Sequence, residues 1–148
     1  MCIRDRTGGD DLNGGTGNDA VFGQDGDDTA VRGGTGDDYV SGGDGDDALV
    51  AGNGGTDHVV GGDGDDKVTG GPRSDFVEGG PGANEVKGNG GNDMLFGSPQ
   101  SDLLGGPGID LLRGGVNCNG GTTGLREDGS LPAELDFADA CRSELNIP

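Results

Sequence analysis

The sequence of 148 residues has no tryptophan, one tyrosine, four phenylalanines and one histidine, and only 28% of it is hydrophobic. A conventional three-dimensional core cannot be assembled from that supply. The longest clear aliphatic run, Ala48-Leu49-Val50-Ala51, falls far short of the ~20 apolar residues of a membrane helix. Basic residues are also scarce: 9 Lys and Arg stand against 28 Asp and Glu, a formal net charge of −19. Such a surface repels nucleic acid and anionic membrane and attracts cations, multivalent ones most. The single histidine, His58, has no cysteine, serine or second histidine converging on it in the repeat, which leaves no materials for a nucleophilic triad or a zinc site. It is expected to be a surface residue. Nothing at the N-terminus has the pattern of a signal peptide. If the protein is secreted, its signal is expected outside this chain or of another type.

Glycine is what the chain has in excess: 37 residues, with 6 prolines. Without a period, that level would indicate disorder. A period is present. Aspartates that precede an aliphatic residue by two places fall at Asp10, Asp19, Asp28, Asp38, Asp47, Asp57, Asp66, Asp75, Asp93, Asp102 and Asp110, with Asn84 in the one gap. Their spacing is nine, apart from two tens and a final eight. The aliphatics two places on are Leu12, Val21, Ala30, Val40, Leu49, Val59, Val68, Val77, Val86, Leu95, Leu104 and Leu112.

One copy reads Gly33-Gly34-Thr35-Gly36-Asp37-Asp38-Tyr39-Val40-Ser41, and the next Gly42-Gly43-Asp44-Gly45-Asp46-Asp47-Ala48-Leu49-Val50. This resembles the RTX nonapeptide, G-G-x-G-x-D-x-U-x with U a large aliphatic, a calcium-binding β-helix repeat. The resemblance covers roughly residues 8 to 113. The residue types agree with it physically. Glycine at the first, second and fourth places lets the chain reverse tightly. The last three places form a short strand with one inward side chain. Two repeats make one coil, so the expected fold is all-β, a parallel β-roll (a β-helix or solenoid) of about six coils. At ~4.8 Å per coil it would be about 30 Å long. The two ten-residue spacings place extra residues at Arg32 and Ala51, expected to stack as neighbouring bulges on one edge.

A core one residue wide cannot offset the ordering of so much glycine-rich chain, and stacked aspartates repel one another. The metal-free chain is therefore expected to be largely unfolded. Ca²⁺ takes six to eight oxygen ligands from carboxylates and backbone carbonyls, and its binding energy becomes folding energy. Alternate repeats stack into two columns. One holds Asp10, Asp28, Asp47, Asp66, Asn84 and Asp102, and the other Asp19, Asp38, Asp57, Asp75, Asp93 and Asp110. Five gaps per column would take up to about ten Ca²⁺ ions, whose charge would nearly cancel −19. Asn18, Asp27, Asp37, Asp46 and Asp65 add oxygen beside the columns in the best-kept stretch, 14 to 66. Later copies decay: Arg73 and Gln100 replace the fourth glycine, and Ala83 and Ile109 lose an oxygen. Calcium is expected to bind more tightly in the N-terminal half, and the pattern is in doubt from Arg73 to Asn84.

Rival readings are weaker. An isolated Asp-Gly-Asp-Asp is usually a solvated turn, but twelve copies in phase point to metal. An EF-hand would need its closing glutamate and flanking helices. Carboxylates suffice for a glycosidase-like pair, but the repeat already accounts for those in phase, so no catalytic residue and no enzyme are expected. Met94, Phe96, Leu103 and Leu111 fall at outward strand positions; an interaction patch there is weighed against cover by the C-terminal tail, which is preferred.

Three segments are expected. Residues 1–6, Met1-Cys2-Ile3-Arg4-Asp5-Arg6, match the translation of ATGTGTATAAGAGACAG, an adapter of transposon-based sequencing libraries, and are expected to be an artefact. The natural protein would then continue upstream. Residues 7–113 form the calcium-binding roll. Residues 114–148 form a C-terminal cap in which Cys118 and Cys141 pair as a disulfide if the compartment is oxidising. The cap is either an interrupted last repeat, from Cys118-Asn119-Gly120-Gly121 and Asp136 to Cys141, or a helix after Ser130. The resemblance implies a secreted, extracellular module, unfolded at low calcium inside the cell and folded outside, attached to an upstream domain such as a protease, lipase, toxin or adhesin. Calcium ions are the expected partners; nucleic acid and membrane insertion are not. The alternatives are a calcium-stiffened structural or adhesive spacer, and a disordered acidic cation buffer.

Overall fold

The chain is described by a computed structural model that covers residues 1–4, 7–52, 54–115, 117–119 and 137–138. Each repeat contributes one strand, and the strands alternate between two parallel sheets. The first sheet contains β1 (Cys2–Arg4), β3 (Ala20–Asp25), β5 (Tyr39–Asp44), β7 (His58–Asp63), β9 (Phe76–Glu78), β11 (Met94–Phe96), β13 (Leu111–Arg113) and β15 (Phe137–Ala138). The second contains β2 (Asp11–Thr16), β4 (Ala30–Thr35), β6 (Ala48–Gly52), β8 (Lys67–Gly71), β10 (Glu85–Asn89), β12 (Asp102–Leu104) and β14 (Asn117–Asn119). The twelve repeats thus wind an all-β parallel solenoid of about six coils, and no helix occurs among the described residues.

The core is a double file of aliphatic side chains, one per strand. Val21, Val31, Val40, Leu49, Val59, Val68, Val77, Val86, Leu95, Leu103 and Leu112 are buried, with Ile3 and Leu12 packed against the file at its N-terminal end. Because strands are parallel and in register, like stacks on like: Val40 pairs with Val59, and Val59 with Val77. Ile3 continues the file opposite Val21, so the first residues, expected to be foreign to the protein, nonetheless occupy a strand position.

The structure corrects the phase at two copies. Val31 rather than Ala30 fills the inward slot opposite Leu12, and Leu103 rather than Leu104 fills the one opposite Val86. Leu103, expected outward, is therefore core, while Leu104 is 39% exposed. Both copies offer two adjacent aliphatics, and the turn length chooses between them. Before Val31 the extra residue is absorbed as a bulge, where the N–H groups of Thr29 and Ala30 both donate to the Asp10 carbonyl. Before Leu103 the turn is one residue short, closed by the Ser101 N–H donating to the Ser98 carbonyl at 3.1 Å.

The expected pair of stacked bulges at Arg32 and Ala51 does not form. Arg32 lies in regular register with Val50. Gly52 pairs with Gly34, and the Gly54 carbonyl accepts from the Gly36 N–H. The first insertion lies at the start of β4 rather than at Arg32.

From β2 to β8 the strands run five or six residues, because the glycine places pair as well. From β9 onward most are three residues long. Gln24 and Asn89 stand at the second glycine place and keep its left-handed backbone, with φ of 84° and 78°. In the tail, β14 pairs with β12 and β15 with β13, placing Cys118 opposite Leu103 and Ala138 opposite Leu112. The described part of the tail thus follows the interrupted-repeat alternative. Apart from Phe137–Ala138, the span of the helix alternative after Ser130 lies outside the described residues, as does Cys141.

Candidate metal centre

The turns that link the two sheets carry the acidic columns, and hydrogen bonds fix their geometry. In the first column the backbone N–H of Asp10 donates to Asp28 Oδ1 at 3.0 Å, Asp28 to Asp47 at 2.8 Å, Asp47 to Asp66 at 3.0 Å and Asp66 to Asn84 Oδ1 at 2.8 Å. In the second, Asp19 donates to Asp38, Asp38 to Asp57, Asp57 to Asp75, Asp75 to Asp93 and Asp93 to Asp110, at 2.8 to 2.9 Å. These side chains are buried, apart from the half-buried Asp10. The repeat has therefore placed one carboxylate per turn in a file with its neighbours one coil away.

Asp102 leaves the column. It pairs with Glu85 at the first strand position and is exposed, while Ser101 takes the column slot opposite Asn84. The cause is the shortened turn that also shifted Leu103 inward. A serine hydroxyl cannot replace the carboxylate charge, so the first column ends its carboxylates at Asp66.

From Asp28 and Asp38 onward each column aspartate uses one oxygen in this way, while Asp19 Oδ1 accepts from the Met1 N-terminal ammonium. The second oxygen is also buried, and Oδ2 of Asp10, Asp19, Asp38, Asp47, Asp57, Asp66, Asp75 and Asp93 meets no donor. A buried carboxylate oxygen without a partner costs about 1–3 kcal/mol or more. What surrounds it is also oxygen. At the first glycine of the pair, a Cβ on Gly70 would stand 2.9 Å from both Asp75 Oδ2 and the Gly88 carbonyl of the next coil. Gly42, Gly61 and Gly88 repeat the arrangement, a Cβ there meeting the column carboxylate and the next coil's carbonyl closer than 3 Å. Carboxylate and carbonyl oxygens thus converge on a point that only glycine leaves open, a donor set suited to a hard cation.

Asn84 is the internal contrast. Its Oδ1 accepts from Asp66 as an aspartate would, but its Nδ2 donates to the Gly80 carbonyl at 2.9 Å. An N–H group does there what a cation would have to do in the aspartate copies. Among the described residues no three acidic, histidine or cysteine side chains gather about one point. Backbone carbonyls would have to complete the shell.

Burial pushes the Asp47, Asp66 and Asp75 carboxyls up to about 6 and Asp93 to about 7, and raises Asp38 and Asp57 in the same direction. Neighbouring carboxylates add to the rise, and the N–H bond from the adjacent coil opposes it. Without metal, these carboxyls therefore hold a proton to higher pH than a solvated aspartate does.

The flanking oxygens form a second ladder of opposite sense. The N–H of Asp37 donates to Asn18 Oδ1, Thr56 to Asp37, Asp46 to Asp27, Asp65 to Asp46 and Ala83 to Asp65, at 2.7 to 3.0 Å. These side chains are at the outer rim and tie one coil to the next. A third acidic file was not singled out in the repeat: Asp25, Asp44 and Asp63 pair in register at the third place. Their carbonyls accept from the Gly8, Gly26 and Gly45 N–H groups. The signal was present in Gly-Gly-Asp but was outweighed by the sixth-place aspartate.

The RTX calcium-binding nonapeptide repeat model matches the chain in four copies, at residues 6–31, 30–55, 51–72 and 69–104. No curated protein and no solved structure matches the chain significantly.

Proposed function

The chain belongs to the RTX calcium-binding nonapeptide repeat family, and from that membership we propose that it is a calcium-gated folding module rather than a catalyst. Calcium binding follows from the family; the use made of it is our reading. The observation that carries it is the file of buried aspartate Oδ2 atoms without donors, interrupted by an asparagine that supplies its own. Aspartates 10, 28, 47 and 66 give three intervals between carboxylates, and 19, 38, 57, 75, 93 and 110 give five. We assign one ion to each interval, about eight rather than ten. Binding is tightest before residue 66, where the flanking ladder is acidic.

In this reading the protein is secreted. The module stays open at the low calcium of a cell interior and closes outside, as part of a longer extracellular protein whose other domain supplies any activity. Its tail, with Cys118 bonded to Cys141, caps the roll, and residues 1–6 are foreign to the natural chain. Limited proteolysis at about 0.1 µM and about 1 mM free calcium tests the gate. A protected fragment spanning residues 7–113 is expected only at the higher level. Equal cleavage at both would contradict it, and protection at both would favour a permanently folded spacer.

A further inference from the structure

The core uses only valine, leucine and isoleucine, yet the four aromatic residues between positions 7 and 115, with the one histidine, all lie on the outer face of the first sheet. They form a continuous ladder. Ring centroids are separated by 5.5 Å from Phe22 to Tyr39, 5.1 Å from Tyr39 to His58, 4.6 Å from His58 to Phe76 and 5.1 Å from Phe76 to Phe96. Met94, 41% exposed, and Leu111 extend the row in register with Phe76. The second sheet's outer face is different: Arg32 pairs with Asp11, and Lys67 and Lys87 pair with Glu85. Aromatic side chains that the core does not use, concentrated on one face, indicate a surface kept for contact.

From this ladder we infer a binding track for an extended cationic peptide, laid along the roll axis. Its size excludes a broad partner. Six rungs at ~4.8 Å, two side chains wide, give a few hundred Å², well under the ~800 Å² per partner of a stable dimer. A single extended chain fits. Its charge is set by the rim. A groove of about 450 Å³ runs between Tyr39, His58 and Phe76 on one side and the acidic turn carrying Asp37, Asp38 and Asp57 on the other. Asp37, on the outer ladder rather than in the column, gives that turn an anionic rim. The rings also select a cation over a sugar. Successive planes are tilted by 31° to 68°, so faces and edges alternate and no flat platform is offered. Cations are drawn to ring faces.

The test uses the full chain folded in calcium and a fluorescent ten-residue peptide of alternating arginine and leucine, followed by anisotropy at about 0.15 M salt. A glutamate–leucine peptide and a labelled β-1,4-glucose hexamer are the comparison ligands. The arginine peptide is expected to bind, and the double variant Tyr39→Ala, Phe76→Ala to weaken it at least tenfold. Tyr39→Leu with Phe76→Leu keeps apolar bulk, protects folding and is expected to weaken binding several-fold through loss of the ring faces. Lys87→Ala, on the other sheet, should change nothing. No binding, equal binding to the ring variants, or preference for the hexamer or the glutamate peptide would overturn the track. The calcium-induced circular dichroism of each variant separates loss of the track from loss of the roll.

Discussion

Replacing Gly61 by alanine is expected to prevent the roll from closing even in millimolar calcium. The reason is local and severe. A Cβ at residue 61 would collide with Asp66 Oδ2 and with the Gly79 carbonyl of the next coil. Neither can retreat, since one belongs to a buried column and the other to the backbone of a paired rung. The methyl group would also stand where the oxygens converge, so steric cost and loss of the ion act together. Overpacking alone costs about 3 kcal/mol in a rigid setting. Gly15→Ala is the control. Its backbone is left-handed, with φ of 99°, but nothing lies within 4 Å of the added carbon. It should cost only the conformational strain, about 1–2 kcal/mol. Far-UV circular dichroism in calcium compares the two. Normal folding of the Gly61 variant would show that coils are not stacked as closely as described.

The second large effect concerns the columns. Asp47→Asn combined with Asp66→Asn should let the metal-free chain gain β-structure at neutral pH, where the parent is expected to have little. Asn84 shows why: an amide at this place keeps the bond to the adjacent coil and satisfies the turn carbonyl with its own N–H. Each substitution removes a buried oxygen without a donor, returning about 1–3 kcal/mol to the metal-free roll. The same pair of changes should flatten the pH dependence. In the parent, burial raises Asp47 and Asp66 to about 6, above the unfolded value of about 3.9. Their contribution to metal-free stability is fully present below about pH 4 and is lost as pH rises through about 6. Circular dichroism without calcium, at about pH 4 and about pH 8, measures both effects. A double variant as unfolded as the parent at the higher pH would show that these oxygens are not what the metal compensates.

The period, the two columns and the parallel solenoid were legible because each follows from glycine and aspartate recurring every nine residues. Legibility failed where two phases fit the same letters. Ala30-Val31 and Leu103-Leu104 each offer adjacent aliphatics, and only turn length decides which faces inward. The Ser98–Ser101 turn, one residue short, moved Asp102 off its column and put Ser101 there. Asn84 read as a weakened ligand, whereas its amide closes the site with a hydrogen bond that no spacing encodes. The aromatic ladder was hidden because its members are seventeen, nineteen, eighteen and twenty residues apart and alternate between rows, so only register brings Phe22, Tyr39, His58, Phe76 and Phe96 together.

The central claim, that calcium folds this chain by filling the oxygen-lined columns, is tested most directly by far-UV circular dichroism during a calcium titration with magnesium as the control. A cooperative gain of β-signal at about 0.1–1 mM calcium, with no equal response to magnesium, is the expected result. A chain that remains disordered throughout, or one already folded without metal at neutral pH, would contradict it.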